Sequence, residues 1–219
     1  MNKSKEKLLQ MNKKVLVTYA TKSGSTGEIA EVIGKELGKC GAEVNVQPVT
    51  DVDDINLYDA VIVGSPIFYG KVLSGVRKFL ARHAESLAQK RVVYFLAGME
   101  MHQIADEPLP VPVFLDPGFE DQPRPKSEMG FWEKMHAVSA FLSPLMKKAP
   151  KVKAIGVGCF KGKLDFGTLS GFGWLIMKLI VKFRREINEG DFRNWEAIRN
   201  WSANMCLELL SEIENKKQS

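Results

Sequence analysis

The chain has 219 residues, of which 45% are hydrophobic and 26% charged, and its formal net charge is +5. This balance is ordinary for a soluble globular protein. The modest basic excess suits an anionic ligand, an acidic partner or an anionic membrane surface. No arginine-rich run or nucleic-acid motif accompanies it, so that we expect no nucleic-acid partner.

The cysteines and the first residues indicate the compartment. Cys40, Cys159 and Cys206 are widely spaced and form no C-x-x-C motif. This sparse, odd set favours a reducing, cytoplasmic compartment and argues against a disulfide or zinc framework, so that we expect no metal site. The polar start lacks the apolar core of a secretory signal. We assign an N-terminal extension to 1–12, the domain to 13–214 and a tail to 215–219.

The first predicted element is a buried strand over 15–20, followed by a turn of small hydroxyl residues and glycine. Ile29, Ile33 and Leu37 then recur every four residues, which predicts an amphipathic helix. Such a turn presents free backbone N–H groups at the positive end of the helix dipole, and its hydroxyls add donors. The sequence therefore predicts a phosphate site formed by Thr21, Lys22, Ser23, Gly24, Ser25 and Thr26.

The turn is neither a Walker A motif nor a Rossmann G-x-G-x-x-G motif. Lys22 is its only cation, and hydroxyls with N–H groups suit one terminal phosphate better than a metal-bound triphosphate. The pattern Thr-x-Ser-Gly-Ser-Thr after the first strand resembles the FMN phosphate loop of flavodoxins. The alternative is an ordinary connecting turn rich in serine and glycine.

Strands and helices then alternate along the chain. The predicted strands cover 43–47, 59–64, 91–97 and 153–160, and the predicted helices cover 73–87, 131–148 and 194–214, the second of them bent near Pro144. Strands that are apolar on both faces and alternate with helices predict an α/β fold with a doubly wound parallel sheet. Gly156 and Gly158 indicate close packing rather than a nucleotide fingerprint, because no helix follows them at once.

A proline-rich insertion over about 99–130 follows the fourth strand. Six of the ten prolines lie between Pro108 and Pro125, so that this stretch can be neither a helix nor a central strand. A lid over the site and a partner-facing or disordered insertion both remain open.

A second unusual segment, 172–183, is apolar nearly all round and precedes Arg184 and Arg185. It is too short to span a bilayer, which takes about 20 residues. The stretch 172–185 therefore either packs on the domain or makes a peripheral contact with the inner face of a membrane.

In open α/β sheets the ligand lies beyond the carboxyl ends of the strands, where the strand order reverses. Phe68 or Tyr69 could stack on a flavin ring or simply cap the core, and Gly70 would let a backbone carbonyl approach the flavin N5. His102 could hold a proton nearby or be solvated. The candidate ring-binding residues are Ser65, Pro66, Ile67, Phe68, Tyr69, Gly70, Ala97, Gly98 and Met99, and we assign no catalytic side chain.

These motifs together resemble the flavodoxin-domain family, and within it the menaquinone-dependent protoporphyrinogen oxidases of bacteria. The closer resemblance depends on Tyr69-Gly70 and on 160–196, which includes Phe160-Lys161-Gly162-Lys163-Leu164 and Trp195-Glu196, whereas 101–126 departs from it. The resemblance implies a five-stranded parallel sheet of order 2-1-3-4-5 and FMN held without a covalent link. It also implies electron transfer from a reduced substrate, such as protoporphyrinogen, to a quinone.

Three functions stay open at this point. The first is a quinone-linked FMN oxidoreductase, towards which the sequence leans. The second is a flavodoxin-type electron carrier that docks on redox proteins; by resemblance such carriers tend to be acidic, unlike this chain. The third is an NAD(P)H-linked quinone reductase, which often lacks a pyridine-nucleotide signature. A receiver domain is disfavoured, because Thr21 to Thr26 contains no acidic residue. The sequence leaves the oligomeric state open.

Overall fold

The structure, a computed structural model, describes residues 13–119, 123–165, 167 and 189–216. Its strands are β1 (Lys14–Tyr19), β2 (Glu43–Pro48), β3 (Ala60–Phe68), β4 (Lys71–Val72), β5 (Arg91–Gly98), β6 (Val113–Leu115), β7 (Ala154–Lys161), β8 (Lys163–Leu164) and β9 (Gly190–Asp191). Its α-helices are α1 (Ser25–Lys39), α2 (Ser74–Arg82), α3 (Ala84–Leu87), α4 (Phe131–Met135), α5 (Val138–Met146) and α6 (Trp195–Lys216). Short 3-10 turns cover Pro117–Phe119 and Lys126–Glu128.

The main sheet has the order β2-β1-β3-β5-β7-β6, and all neighbours along this path run parallel. β4 adds an antiparallel hairpin to the end of β3. From β1 the chain moves outward to β2 and then returns to place β3 on the other side of β1. The strand order therefore reverses between β1 and β3, which opens a crevice at their carboxyl ends.

Two apolar clusters cover the two faces of the sheet. On one face the strands pack against Val76 and Phe79 of α2 and Phe141 of α5. On the other face they pack against Ile29 of α1 and Trp201 of α6. Because β1, β3, β5 and β7 are buried on both faces, they read in sequence as nearly continuous apolar runs. The predicted doubly wound parallel sheet is confirmed.

The structure refines the predicted elements. The five predicted core strands occur in the predicted spatial order, and the insertion adds β6 as a sixth parallel strand at the edge, where prolines are tolerated. The predicted helix over 73–87 is interrupted at His83. The predicted helix over 131–148 divides into α4 and α5, because Ala137 forms a β-bridge with His102 there, whereas Pro144 lies inside α5.

The expectation of no disulfide is wrong. The structure joins Cys40, just after α1, to Cys206 of α6, with their Cα atoms 6.6 Å apart, while Cys159 is free and buried. The pair was not visible in the sequence because 166 positions separate its members, and only the packing of α1 beside α6 brings them together. The spacing of the cysteines therefore no longer supports a reducing compartment.

The predicted apolar segment 172–185 lies outside the described residues. Within the part of the chain that is described, no helix has the length and hydrophobicity needed to cross a bilayer.

Candidate functional site

A cavity of about 540 Å³ lies beyond the carboxyl ends of the central strands, at the point where the strand order reverses. This volume is typical of a small-molecule or cofactor site. Three groups of residues form its walls: the turn into α1, the β3–β4 hairpin, and the ends of β5 and β7. The lining residues are Lys22, Ser23, Ser25, Thr26, Pro66, Ile67, Phe68, Tyr69, Ala97, Gly98, Met99, Gly162, Lys163, Leu164 and Asp165.

The turn between β1 and α1 keeps its donors available. Gly24 has φ +88°, in the left-handed region that glycine adopts without strain, and its N–H donates to Thr21 Oγ1 at 2.9 Å. No described side chain caps the first turn of α1. The backbone N–H groups at the start of α1 therefore have no side-chain cap, and Ser25 and Thr26 place this positive end of the helix dipole beside the cavity.

The environment of the Thr26 side chain shows whether this turn fits a phosphate. Its side chain is fully buried, it lines the cavity, and its Oγ1 has no hydrogen-bond partner among the described residues. A buried hydroxyl without a partner is costly, and a phosphate oxygen in the cavity would remove that cost. The ring of Tyr19 closes the back of the turn, because a Cβ at Gly27 would lie only 2.8 Å from Tyr19 Cε2. The residues present fit a phosphate group.

The β3–β4 hairpin forms the second wall. Tyr69 and Gly70 have φ +49° and +68°, and this pair of positive values is typical of a two-residue type I′ hairpin turn. Ser65 fixes the hairpin from behind, since its Oγ donates to Pro66 O at 2.9 Å and accepts from Leu73 N at 3.1 Å. The turn consequently presents Tyr69, which is 45% exposed, at the mouth of the cavity.

Phe68 and Tyr69 do not simply cap the core. Their ring centroids lie 4.4 Å apart in an edge-to-face arrangement, and both residues line the cavity. Lys22 Nζ lies 5.6 Å from the centroid of the Phe68 ring, so that the cation of the first turn reaches across to the hairpin. An aromatic wall therefore stands beside the polar turn, which suits a ligand with a flat ring at one end and an anion at the other.

The third wall is backbone. Gly162 N donates to Gly98 O at 3.0 Å, and a Cβ at Gly98 would lie 2.9 Å from Met101 Cε. Glycine at position 98 therefore leaves room for the Met101 side chain, whereas a Cβ at Gly162 would make only ordinary contact with Gly98 N, at 3.7 Å. Sequence reasoning missed Gly162, Lys163, Leu164 and Asp165 as site residues. Their position directly after the last core strand was the signal that could have included them.

Four predicted site residues support the walls rather than line the cavity. Thr21 and Gly24 shape the first turn, and Ser65 and Gly70 shape the hairpin. The remaining predicted residues are brought together around one cavity. Their contact with a ligand stays a prediction.

His102 lies beside the site rather than in it. Its Nε2 is 3.0 Å from Glu100 Oε1, and Trp132 Nε1 donates to Glu100 Oε2 at 3.1 Å. Burial acts to raise the pKa of Glu100, but the hydrogen bonds from His102 and Trp132 and the nearby His136 outweigh it and lower that pKa. This network anchors Glu100 to α4. Because Glu100 directly follows Met99, which lines the cavity, the network also sets the position of the cavity rim.

The comparisons with known proteins agree with this geometry. A protein-family model described as "Flavodoxin domain" matches residues 16–190 of the chain. The chain belongs to the flavodoxin domain family. Its fold is similar to that of a flavodoxin from the domain Archaea, with a TM-score of 0.50 and 16% identity, over 90% of this chain and 98% of that one.

A curated relative adds a more distant likeness. Protoporphyrinogen IX dehydrogenase [quinone] of Escherichia coli is 33% identical over 76 residues, which cover 34% of this chain and 42% of that enzyme. The matched segment thus spans less than half of the enzyme's length. Family membership and the donor set of the cavity agree with the sequence-based expectation of FMN as the cofactor. The protein is accordingly a flavodoxin-like flavoprotein.

Proposed function

We propose that this flavoprotein is an FMN-dependent oxidoreductase that passes electrons from a reduced substrate of the protoporphyrinogen class to a quinone. When bound, FMN would supply the chemistry by carrying electron pairs from the substrate to the quinone, with three pairs and three quinones for each protoporphyrinogen that becomes protoporphyrin. The observation that carries the proposal is the cavity itself, which joins a polar turn to a mouth with exposed aromatic and apolar side chains.

In this proposal the turn Thr21–Thr26 holds the phosphate. The free N–H groups at the start of α1 and the Thr26 hydroxyl donate to its oxygens, and the helix dipole favours its charge. The β3–β4 hairpin on one side and Ala97, Gly98 and Met99, at and after the end of β5, on the other would hold the flavin ring. The aromatic side chains of that hairpin, Phe68 and Tyr69, would stack on the ring and exclude water from it.

The rim of the cavity suits a flat, apolar, acidic substrate. Tyr69 and Met99 are exposed at its mouth, and Lys22 and Lys163 add two exposed cations there. Protoporphyrinogen is an apolar macrocycle with carboxylate side chains. Its ring would pack on the exposed apolar side chains while its carboxylates pair with the lysines. The sequence likeness to the Escherichia coli enzyme supports the same substrate class.

A quinone is a second flat, apolar molecule, and the same mouth would receive it after the first product leaves. Because such quinones reside in membranes, the predicted peripheral contact through 172–185 belongs to this proposal. The competing function is that of an electron carrier, for which the exposed Tyr69 and Met99 would instead form the docking surface for a redox protein.

The test is an anaerobic turnover assay on the FMN-loaded protein with protoporphyrinogen and a menaquinone analogue. We expect porphyrin fluorescence to rise only when protein, FMN and quinone are all present. Lys163→Gln should raise KM for protoporphyrinogen with less effect on KM for the neutral quinone. Lys35→Gln, at an exposed lysine on α1 outside the cavity, is the matched control and should change neither.

Two results would contradict the proposal. One is the absence of turnover together with rapid exchange of electrons with a ferredoxin, which would establish a carrier. The other is efficient reduction of the quinone by NAD(P)H without any reaction of protoporphyrinogen, which would establish a pyridine-nucleotide-linked reductase.

A further inference from the structure

Arg193 is a buried arginine behind the phosphate turn that neither the cavity lining nor the sequence motifs include. Its side chain is only 4% exposed, although it lies in the short connection between β9 and α6. The guanidinium carbon lies 4.3 Å from the centroid of the Trp195 ring. This stacking fixes the plane of the guanidinium, so that its donors point in set directions.

The donors of Arg193 are directed at two different elements, the first turn of α1 and the strand β9. Nη1 donates to Glu28 Oε2 at 2.8 Å and to the main-chain oxygen of Ser25 at 3.3 Å, both in the first turn of α1. Nε donates to Asp191 Oδ1 at 2.7 Å, and Nη2 pairs with the other oxygen of that carboxylate. Asp191 lies opposite Lys163 in the β8–β9 hairpin.

These contacts connect residues that line the cavity. Ser25 belongs to the phosphate turn, and Lys163 belongs to the wall after β7. A further bond from Phe192 N to Gly162 O, at 3.2 Å, holds the same hairpin. One side chain therefore ties the phosphate turn to the β8–β9 hairpin, whose Lys163 lines the cavity.

The charges of Glu28 and Arg193 explain how this arrangement bears on phosphate binding. Glu28 places a carboxylate in the first turn of α1, where it would repel a phosphate dianion bound at the same turn. Arg193 pairs with that carboxylate from behind and offsets its charge. The hydrogen bond to Asp191 is the largest cause of the raised pKa of Arg193, although an arginine is a cation at every working pH in any case.

Stability alone does not account for this cluster. Withdrawing the arginine side chain from water costs free energy, and pairing with carboxylates that are 56% and 41% exposed returns only part of it. A bidentate, stacked arginine is instead suited to holding other groups in one fixed geometry.

We propose that Arg193 is a positioning residue for flavin phosphate binding, which fixes the Ser25 carbonyl and neutralises Glu28 behind the turn. The inference builds on the proposed function, in which this turn holds the phosphate of FMN. Arg193 does not touch the phosphate; it acts through the first turn of α1.

The experiment measures the dissociation constants of FMN and of riboflavin, which lacks the phosphate, for the apoprotein and for Arg193→Gln. We expect the variant to bind FMN about tenfold more weakly, as loss of a charge-assisted hydrogen bond implies, while its affinity for riboflavin changes much less. Arg199→Gln, at an exposed arginine on α6, is the control and should leave both constants unaltered.

A double-variant cycle separates charge from simple loosening. Adding Glu28→Gln to Arg193→Gln should recover part of the lost FMN affinity, because no uncompensated carboxylate then faces the phosphate. If Arg193→Gln does not fold, Glu28→Gln alone still tests the idea, since Glu28 is exposed and its removal should leave FMN binding equal or tighter. Weaker FMN binding in Glu28→Gln would overturn the proposal.

Two other outcomes are distinguishable. Equal losses of FMN and riboflavin affinity in Arg193→Gln, or no loss of either, would overturn the role of Arg193 and leave the FMN site intact. Failure of the unaltered protein to bind FMN at all would instead contradict the proposed function and remove the basis of this inference with it.

Discussion

The central sheet and the insertion over about 99–130 are stabilised by different means. The sheet is buried between two large apolar clusters, and the insertion adds Met101 and Val111 to the first of them. A further small cluster of Ile104, Met129 and Ala137 joins the insertion to α4 and its flank, and the ion pairs of Arg124 with Glu133 and of Lys126 with Glu107 supplement it. Polar contacts therefore contribute a larger share of the stabilisation in the insertion than in the sheet.

The largest expected effect, on the free energy of unfolding, comes from overpacking the core at the central sheet. A Cβ at Gly64 of β3 would lie 1.9 Å from Cζ of the fully buried Phe95. Gly64→Ala should therefore lower the free energy of unfolding by about 3 kcal/mol, as overpacking does at its upper end. Urea denaturation measures this value.

The matched change in the other region is Gly130→Ala. There a Cβ would meet only Glu133 Oε2, at 3.4 Å. We expect a loss below about 0.5 kcal/mol in the same denaturation experiment. Equal losses for Gly64→Ala and Gly130→Ala would contradict the contrast between the two regions.

Asp116 is the polar residue that joins the two regions. It is buried, and its carboxylate accepts from Gly118 N at 2.9 Å, Lys161 N at 3.2 Å and Asn194 Nδ2 at 3.4 Å. Asp116→Ala leaves these donors unpaired and should cost about 2 kcal/mol. Amide exchange should accelerate around β6 more than in β1. Uniform acceleration would show that Asp116 supports the whole sheet instead.

A substitution at Thr26 should affect FMN binding and apoprotein stability in different ways. Thr26→Val keeps the shape of the side chain and removes the buried hydroxyl that has no described partner. The apoprotein should become no less stable, because an unpaired polar group disappears, while FMN affinity falls about tenfold. A thermal melt of the apoprotein and a flavin titration measure the two quantities. Loss of apoprotein stability with unchanged FMN affinity would assign Thr26 a purely structural role.

The smallest effect concerns acid sensitivity at the break between α2 and α3. Burial and the neighbouring Arg82 lower the pKa of His83, and Asp54 opposes them only partly. The unfolded chain therefore takes up the proton at a higher pH than the folded chain does. The associated stability is present above about pH 6.5, the unfolded value, and is lost as the pH falls through the folded value.

His83→Gln removes this proton linkage. The difference between its unfolding free energies at pH 7.5 and pH 5.5, two conditions chosen to bracket the unfolded value, should be smaller than for the unaltered chain. An identical difference would show that other groups determine the acid response.

The sequence predicted the sheet because local patterns encode it. The runs that became β1, β3 and β5 are apolar on both faces, and the glycine and hydroxyl residues of the first turn lie within one short stretch. Non-local contacts were not predictable in this way. The pairing of Cys40 with Cys206 and the interruption of a helix at Ala137 both depend on residues far away in the chain.

The candidate site shows the same division. Its first turn and hairpin could be predicted from local sequence, and the wall from Gly162 to Asp165 could have been included because it directly follows the last core strand. Arg193 could not be found from the sequence, because its role depends on contact with Glu28, which is 165 positions away.

The central claim is that the polar turn at the start of α1 holds the phosphate of FMN. Calorimetric titration of the apoprotein with FMN and, separately, with riboflavin tests it most directly. We predict saturable binding of FMN that is markedly tighter than that of riboflavin and weakens as inorganic phosphate is added. Equal affinity for the two flavins, or no heat with either, would contradict the account.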